Sequence, residues 1–288
     1  CRSDVDRNAP YRRWTVCPAR GGTSSIRAGI NVSEDPEDRR PIFEYSVRDQ
    51  RHWRRLGDLF EAEDLGPREL LTNWSSYVRR RDLSRFLAHY ELFKLAADKP
   101  GSIIEVGVYR GASLFTWSKL LETFCPADRT RLVYGFDHFM GLVNHSSEDK
   151  GKAGRSAPGK ERWKAPVEHV RELVDLHNDD GMIAGVERVR LIEGDVLETL
   201  PRFVTDNPGL RVSLLHLDAD LHDPTRAALD FVYPLLVPGG IVCIDEYGMV
   251  PWEGEASAVD RFLDTLERRP EMNRFPFSAR PGGYFIKE

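Results

Sequence analysis

Residues 102–111, SIIEVGVYRG, contain the feature that decides the fold. A short apolar run is followed by Gly107 and Gly111 and then by a helical stretch, ASLFTWSKLLETF. This order predicts a buried strand, a sharp glycine turn and a crossover helix. The spacing differs from the G-x-G-x-x-G fingerprint, because the next glycine after Gly107 is four residues further on. A dinucleotide-binding turn is therefore disfavoured.

Short apolar runs alternate with helical stretches from this segment onward. We predict strands at residues 102–107, 131–136, 189–193, 212–217 and 240–245. We predict helices at residues 112–124, 166–177, 197–205, 224–236 and 255–267. Such alternation is typical of an α/β protein with a mostly parallel sheet and helices on both faces. At the end of the chain, residues 274–279 and 283–287 flank Pro281 and predict an antiparallel hairpin that closes the sheet.

The N-terminal third of the chain has a different character. Residues 1–45 are rich in Arg, Asp, Gly, Ser and Pro and predict a flexible arm. Residues 46–100 show helical spacing of apolar side chains and end at Pro100, which predicts a helical cap. Residues 101–288, which contain the alternating strands and helices, are predicted to form one α/β domain.

Composition excludes several classes of protein. The 288 residues carry 41 Lys and Arg against 46 Asp and Glu, a net charge of −5, so we expect no nucleic-acid partner. No apolar run approaches ~18 residues, so we expect neither a membrane span nor a membrane partner. The four cysteines include no C-x-x-C pair, which disfavours a zinc ribbon or a disulfide framework. We therefore expect a reduced, cytoplasmic protein.

Acidic residues stand where several of the predicted strands end. Ligands of an open parallel sheet bind at this edge. Asp137 ends the second strand at the position where an acid would bind a ribose diol, with His138 beside it as a possible adenosine contact. Asp195 follows the third strand. Each of these acids could instead cap the helix that follows it.

Four further carboxylates follow the fourth and fifth strands. Asp218 and Asp220 lie in HLDADLHDPT, and Asp245 and Glu246 follow GIVCI. Adjacent strands would bring these acids to one edge, where they repel one another unless a cation lies among them. Oxygen ligands of this kind suit Mg²⁺ or a similar divalent cation. The alternative is that these acids serve as local caps.

The motifs IIEVGVYRG, VYGFDHFMG, LIEGDVLETLP, LHLDADLHDPT and LVPGGIVCIDEYG occur in this order. Together they resemble the macrocin O-methyltransferase family of class I S-adenosylmethionine-dependent methyltransferases, over about residues 70–288. The resemblance implies a Rossmann-like, mostly parallel seven-stranded sheet with a C-terminal antiparallel hairpin and an N-terminal helical cap. It departs at Glu246, where relatives often have a second Asp.

The resemblance also implies roles for individual residues. Cofactor binding falls to residues at the ends of the first three strands: Glu105, Gly107, Gly111 and Ser113 at the methionine end, Asp137 at the ribose and Asp195 at the adenine. Asp218, Asp245 and Glu246 would bind Mg²⁺. Asp220 would be the general base, and His222 is a rival for that role.

The sequence thus predicts a metal-dependent O-methyltransferase that moves a methyl group from S-adenosylmethionine to a sugar hydroxyl. The acceptor would be a glycosylated natural product or a nucleotide-sugar, and the protein a homo-oligomer. One alternative is a catechol-type phenol as acceptor, because two chelating oxygens occur in both kinds of molecule. Another is a catalytically silent scaffold that binds S-adenosylmethionine.

Overall fold

The computed structural model describes residues 43–63, 65–143, 145–149, 163–250 and 252–288. The predicted flexible arm lies outside these residues, except for the last three of its residues. Contacts within the chain define two compact units, which divide after Thr72. The predicted boundaries of the arm (residues 1–45), the cap (residues 46–100) and the α/β domain (residues 101–288) stay predictions.

Helices make up most of the described chain before the sheet. The first unit contains α1 (Phe43–Glu63) and α2 (Pro67–Thr72). The second unit begins with α3 (Trp74–Tyr77) and α4 (Arg80–Ala96). Within the residues described, no helix is both long enough and apolar enough to cross a bilayer.

Strands and helices then alternate to the end of the second unit. The strands are β1 (Ser102–Val106), β2 (Val133–Asp137), β3 (Val189–Glu193), β4 (Val212–Leu217), β5 (Leu236–Ile244) and β6 (Gly283–Ile286). The helices are α5 (Ala112–Phe124), α6 (Val167–Asp179), α7 (Val196–Asp206), α8 (His222–Val232) and α9 (Glu253–Leu263), with short 3₁₀ turns at Ser147–Asp149 and Tyr233–Leu235. Each predicted element from β1 onward, except the first arm of the hairpin, lies within a few residues of its predicted position.

The sheet has the strand order β3-β2-β1-β4-β5-β6. The first five strands pair in parallel, and β6 is antiparallel to β5. The prediction of a mostly parallel α/β sheet with an antiparallel C-terminal strand is confirmed. The strand count is wrong, because the sheet of the described residues has six strands and not seven.

The missing strand is the first arm of the predicted hairpin, residues 274–279. Only Asn273 pairs with Tyr284, through two backbone hydrogen bonds of 2.8 Å that form an isolated antiparallel bridge. The chain then turns at Pro276, which has no N–H to donate to a ladder. The segment therefore crosses the end of the sheet without extending it.

Two apolar clusters cover the two faces of the sheet. Side chains of a strand point alternately to opposite faces, so Ile103 joins one cluster and Ile104 the other. Leu214 and Leu215 divide in the same way. Helices α4, α5 and α6 cover the first face, and α7, α8 and α9 cover the second. Each fully buried large apolar side chain contributes roughly 1.5–3 kcal/mol to the free energy of folding.

A stacked pair between α5 and α6 predicts a pH-dependent stability. The rings of Phe115 and His177 lie 4.1 Å apart and nearly parallel, and burial lowers the pKa of His177 to about 4. The unfolded chain takes up the proton first, so this stabilisation is present above pH ~6.5 and is lost as the pH falls towards 4.

We therefore expect the free energy of unfolding of the wild type to fall more steeply between pH 7 and 5 than that of His177→Phe. Between pH 7 and pH 5 the wild type should lose about 1 kcal/mol more of its free energy of unfolding than the variant does, after allowance for the partial exposure of the ring. Urea unfolding at the two pH values measures it. Equal slopes would show that His177 does not titrate in the folded protein as described.

Candidate active site

The carboxyl ends of β1, β4 and β5 lie side by side. Leu217 of β4 is in register with Val106 of β1 on one side and with Ile244 of β5 on the other. The ladder continues beyond the strands, because the N–H of Asp218 donates to the carbonyl of Val106 at 2.9 Å. The N–H of Asp245 likewise donates to the carbonyl of Leu217 at 2.9 Å. The side chains that follow the two strands are therefore neighbours.

Three of the four predicted carboxylates at this edge form one cluster. Asp218, Asp245 and Glu246 each offer an oxygen atom, and these atoms lie within 4.8 Å of one another. Asp245 and Glu246 are fully buried, and the side chain of Asp218 is 19% exposed. Their donor set is oxygen only, which fits Mg²⁺ or a similar hard cation. We call Asp218, Asp245 and Glu246 the carboxylate cluster.

Arg85 of α4 reaches the carboxylate cluster from the helical side. Its Nη2 lies 2.7 Å from Oδ2 of Asp218 and 3.1 Å from Oδ1 of Asp245. No motif in the sequence predicts a role for this residue. It lies in RRDLSRFLAHY, where several arginines share one helix and nothing local distinguishes the one that faces the site.

Arg280 reaches the carboxylate cluster from the segment before β6. Its Nη2 lies 2.7 Å from Oε1 of Glu246, and its Nη1 lies 3.7 Å from Oδ2 of Asp245. This residue could not be predicted from the sequence either, because its position depends on how the chain crosses the end of the sheet. Two guanidinium groups from distant parts of the chain therefore meet the three carboxylates.

The close packing of charge shifts the pKa values of the cluster in opposite directions. Burial would raise the pKa of Asp245, but Arg85 and His216 outweigh it and hold that pKa below its usual value. Burial and the neighbouring Asp245 raise the pKa of Asp218 to about 8, and they also raise the pKa of Glu246. Asp245 is thus the most acidic member, and its two neighbours retain protons more readily than exposed acids do.

A buried histidine connects the carboxylate cluster to the first strand. The Nδ1 atom of His216 lies 3.0 Å from Oε2 of Glu105, and its Nε2 lies 3.7 Å from Oδ1 of Asp245. Burial lowers the pKa of His216, but the carboxylates of Asp245 and Glu105 outweigh burial and raise it to about 10. His216 therefore lies buried between the predicted metal ligands and the predicted cofactor strand.

Glu105 and Ser113 lie together at the glycine turn. The hydroxyl of Ser113 donates to Oε1 of Glu105 at 3.1 Å, and both side chains are buried. The carboxylate of Glu105 is thus shared between Ser113 and His216 at the turn. The contacts of these two residues with the cofactor stay predictions.

The turn itself depends on glycine and on Asp137. Gly107 has φ +94° and Gly111 has φ +84°, and Gly111 precedes the first residue of α5. A Cβ on Gly107 would meet the backbone oxygen of Asp218 at 2.0 Å. Oδ2 of Asp137 accepts the N–H groups of Val108 and Tyr109, both at 2.8 Å. Asp137 therefore shapes the turn, and its predicted bond to the ribose stays a prediction.

Asp195 and His138 have local partners in the structure. Asp195 caps α7, because its Oδ1 accepts the N–H of Leu197 at 3.0 Å. Nδ1 of His138 accepts the N–H of Met140 at 3.0 Å. The capping alternative thus describes what Asp195 does in this structure. The adenine and adenosine contacts of these two residues remain predictions.

The two candidate bases, Asp220 and His222, follow Asp218 along the chain. Asp220 has φ +62° and is 9% exposed. His222 is the first residue of α8, and its Nδ1 lies 2.7 Å from Oδ1 of Asp223. A further acid, Glu255 of α9, is fully buried and accepts the N–H of Glu246 at 2.8 Å. The sequence does not distinguish Glu255, because an acid in the first turn of a helix is common.

Comparison with known proteins identifies the family. The sequence profile of the macrocin O-methyltransferase family matches residues 78–274, which include both the glycine turn and the carboxylate cluster. The chain belongs to this family. The prediction of an S-adenosylmethionine-dependent O-methyltransferase is confirmed at the level of the family.

Several relatives of known activity are similar to this chain over about half of their own length or more. An 8-demethyl-8-(2,3-dimethoxy-α-L-rhamnosyl)-tetracenomycin-C 4′-O-methyltransferase of Streptomyces olivaceus is 29% identical over 65% of this chain and 69% of its own. A demethyldecarbamoylnovobiocin O-methyltransferase of Streptomyces niveus is 30% identical over 53% of this chain and 55% of its own. The crystal structure of the calicheamicin methyltransferase CalS11 has a TM-score of 0.73 and 28% identity over 91% of this chain and 99% of its own.

Gly107→Ala tests how closely the glycine turn approaches the carboxylate cluster. Gly185→Ala is the matched control, because Gly185 also has positive φ, +77°, but a Cβ there meets no atom within 4 Å. Both variants incur the strain of positive φ, roughly 1–3 kcal/mol. Only Gly107→Ala adds the collision with the backbone of Asp218, so we expect its free energy of unfolding to fall further and its affinity for S-adenosylhomocysteine to drop.

Urea unfolding and calorimetry measure the two effects. Equal losses of stability in the two variants, with cofactor affinity retained in both, would contradict the close approach.

Proposed function

We propose that this protein methylates a hydroxyl group of a sugar in a glycosylated small molecule or a nucleotide-sugar, with the help of a divalent cation. The carboxylate cluster carries this proposal. The 2.0 Å approach of a Cβ on Gly107 to the backbone of Asp218 sets the glycine turn directly beside the cluster. A donor held at the turn and an acceptor held at the cluster would therefore be neighbours.

The names of the relatives point to the acceptor. The tetracenomycin enzyme is named for the 4′-hydroxyl of a substituted rhamnosyl group. CalS11 is described as a TDP-rhamnose 3′-O-methyltransferase. Both names specify a hydroxyl of a rhamnose ring, so a rhamnose-type deoxysugar is the first acceptor class to test.

The carboxylate cluster fits the cation that the family resemblance implies. Asp218, Asp245 and Glu246 would hold it. Within the described chain, the carboxylate oxygens of Asp245 and Glu246 form ion pairs with arginine but accept no hydrogen bond of regular geometry. A divalent cation would orient two neighbouring acceptor oxygens and lower the pKa of the hydroxyl that is methylated. The longer side chain of Glu246, compared with aspartate, still offers oxygen.

Protein groups would supply binding, orientation and proton removal. The glycine turn and the free N–H groups at the start of α5 would bind S-adenosylmethionine, which supplies the methyl group. Asp220 would take the proton of the acceptor hydroxyl, and His222 is the alternative base. Orientation of the two reactants supplies up to ~7–11 kcal/mol of the barrier reduction in favourable cases, so the fixed positions of β1, β4 and β5 matter more than any single side chain.

Purified protein with S-adenosylmethionine and Mg²⁺ tests the proposal. We expect methyl transfer to TDP-rhamnose or to a rhamnosyl glycoside, and none to catechol, in a mass-spectrometric assay. Asp220→Asn lowers kcat by about 10²–10⁴-fold if Asp220 is the base. Asp218→Asn removes turnover while calorimetry still detects cofactor binding. Asp230→Asn is the control, because Asp230 pairs with Arg226 on the exposed face of α8.

Each part of the proposal can fail separately. Full activity in the presence of a chelator would rule out the cation. Methylation of catechol alone would assign the phenol alternative. Cofactor binding without methyl release to any acceptor would identify a silent scaffold. Loss of activity in His222→Gln but not in Asp220→Asn would transfer the role of base to His222.

A further inference from the structure

Arg85 occupies the space in which the carboxylate cluster would hold a cation. Its Nη2 lies within 3.1 Å of oxygen atoms on both Asp218 and Asp245. The guanidinium of Arg85 carries one positive charge and bridges two carboxylates. It therefore lies where a divalent ion would lie between the same oxygens. A divalent ion bound to the same two oxygen atoms would be repelled by the guanidinium, so the two positive groups compete for this position.

Positive side chains already lie against the carboxylate cluster. The guanidinium of Arg85 contacts Asp218 and Asp245, and the guanidinium of Arg280 contacts Glu246. Buried carboxylates that lack such partners destabilise a fold strongly. The arginines therefore let the protein fold around the cluster without metal, at the expense of affinity for the metal.

The side chains beside the carboxylate cluster differ in how easily they can move away from it. His216 is fully buried between Glu105 and Asp245 and has no path to solvent. The side chain of Arg85 is 26% exposed and that of Arg280 is 35% exposed. Arg85 is attached to α4 through a long flexible side chain, so its guanidinium can withdraw towards solvent while the helix stays in place.

We propose that Arg85 is a built-in counter-ion that competes with the divalent cation for Asp218 and Asp245 and so weakens metal binding while it stabilises the metal-free protein. This inference rests on the cation of the proposed function. Arg280 acts in the same sense on Glu246, but its second contact, 3.7 Å to Asp245, is longer. Arg85 is therefore the group that bridges two of the predicted ligands.

Removal of the Arg85 guanidinium has opposite effects on stability and on metal affinity. Mn²⁺ serves as the probe in calorimetric titrations of the full chain with S-adenosylhomocysteine. We expect Arg85→Gln to bind Mn²⁺ with a Kd about tenfold lower than that of the wild type. In the presence of a chelator the same variant unfolds at a lower temperature, and saturating Mn²⁺ removes this difference.

Arg85→Lys keeps the experiment informative if the glutamine variant does not fold. The lysine ammonium retains the charge, but it lies on a shorter side chain and lacks the planar fork of a guanidinium, so we expect tighter Mn²⁺ binding at nearly the stability of the wild type. Arg226→Gln is the matched control, because Arg226 forms an exposed ion pair with Asp230 away from the cluster. It leaves both the Kd and the unfolding temperature unchanged.

The possible results separate this inference from the proposed function. Asp218→Asn identifies the site, since Mn²⁺ binding to the wild type should disappear in that variant. If the wild type binds Mn²⁺ through Asp218 and the Arg85 variants bind it equally or more weakly, Arg85 does not compete and the inference fails alone. If no form of the protein binds Mn²⁺, the cation of the proposed function is wrong, and the inference fails with it.

Discussion

Mutual repulsion among the buried carboxylates at the ends of β4 and β5 constrains the rest of the site. Asp218, Asp245 and Glu246 offer oxygens within 4.8 Å of one another, and none is freely exposed to water. Such a group is stable in a folded protein if positive charge lies beside it or if some of its members retain protons. Helix α4 and the segment before β6 each contribute one guanidinium, and strand β4 contributes His216. The packing of three separate parts of the chain is thus tied to one electrostatic requirement.

The same requirement connects the cofactor turn with the acceptor edge. His216 contacts Glu105 on one side and Asp245 on the other, and it is buried between them. Gly107 lies so close to the backbone of Asp218 that no larger residue fits there. The methyl donor and the acceptor would therefore be positioned by elements that cannot move independently, which suits a reaction in which orientation supplies most of the catalysis.

The sequence predicts those features of the fold that depend on local pattern. The alternation of apolar runs and helices predicts five parallel strands, and the acids after β4 and β5 predict the carboxylate cluster. Both follow from periodicity and from the rule that carboxyl ends of parallel strands share an edge. The predicted seventh strand, the first arm of the hairpin, does not form, because Pro276 has no N–H to donate to a ladder.

The features that the sequence did not predict depend on contacts between distant parts of the chain. Arg85 lies 133 positions before Asp218, and its neighbours in α4 include other arginines that face elsewhere. Arg280 reaches the cluster only after the chain has crossed the end of the sheet, and Glu255 contacts Glu246 from α9. Asp195 was expected at the adenine, and in the structure it caps α7, the local alternative that the sequence left open.

Anomalous diffraction from crystals grown with Mn²⁺ and S-adenosylhomocysteine tests the central claim most directly. The account predicts one strong manganese peak bounded by Asp218, Asp245 and Glu246, with the guanidinium of Arg85 withdrawn from both aspartates. An absent peak, with Arg85 still paired to Asp218 and Asp245 at saturating Mn²⁺, would contradict it.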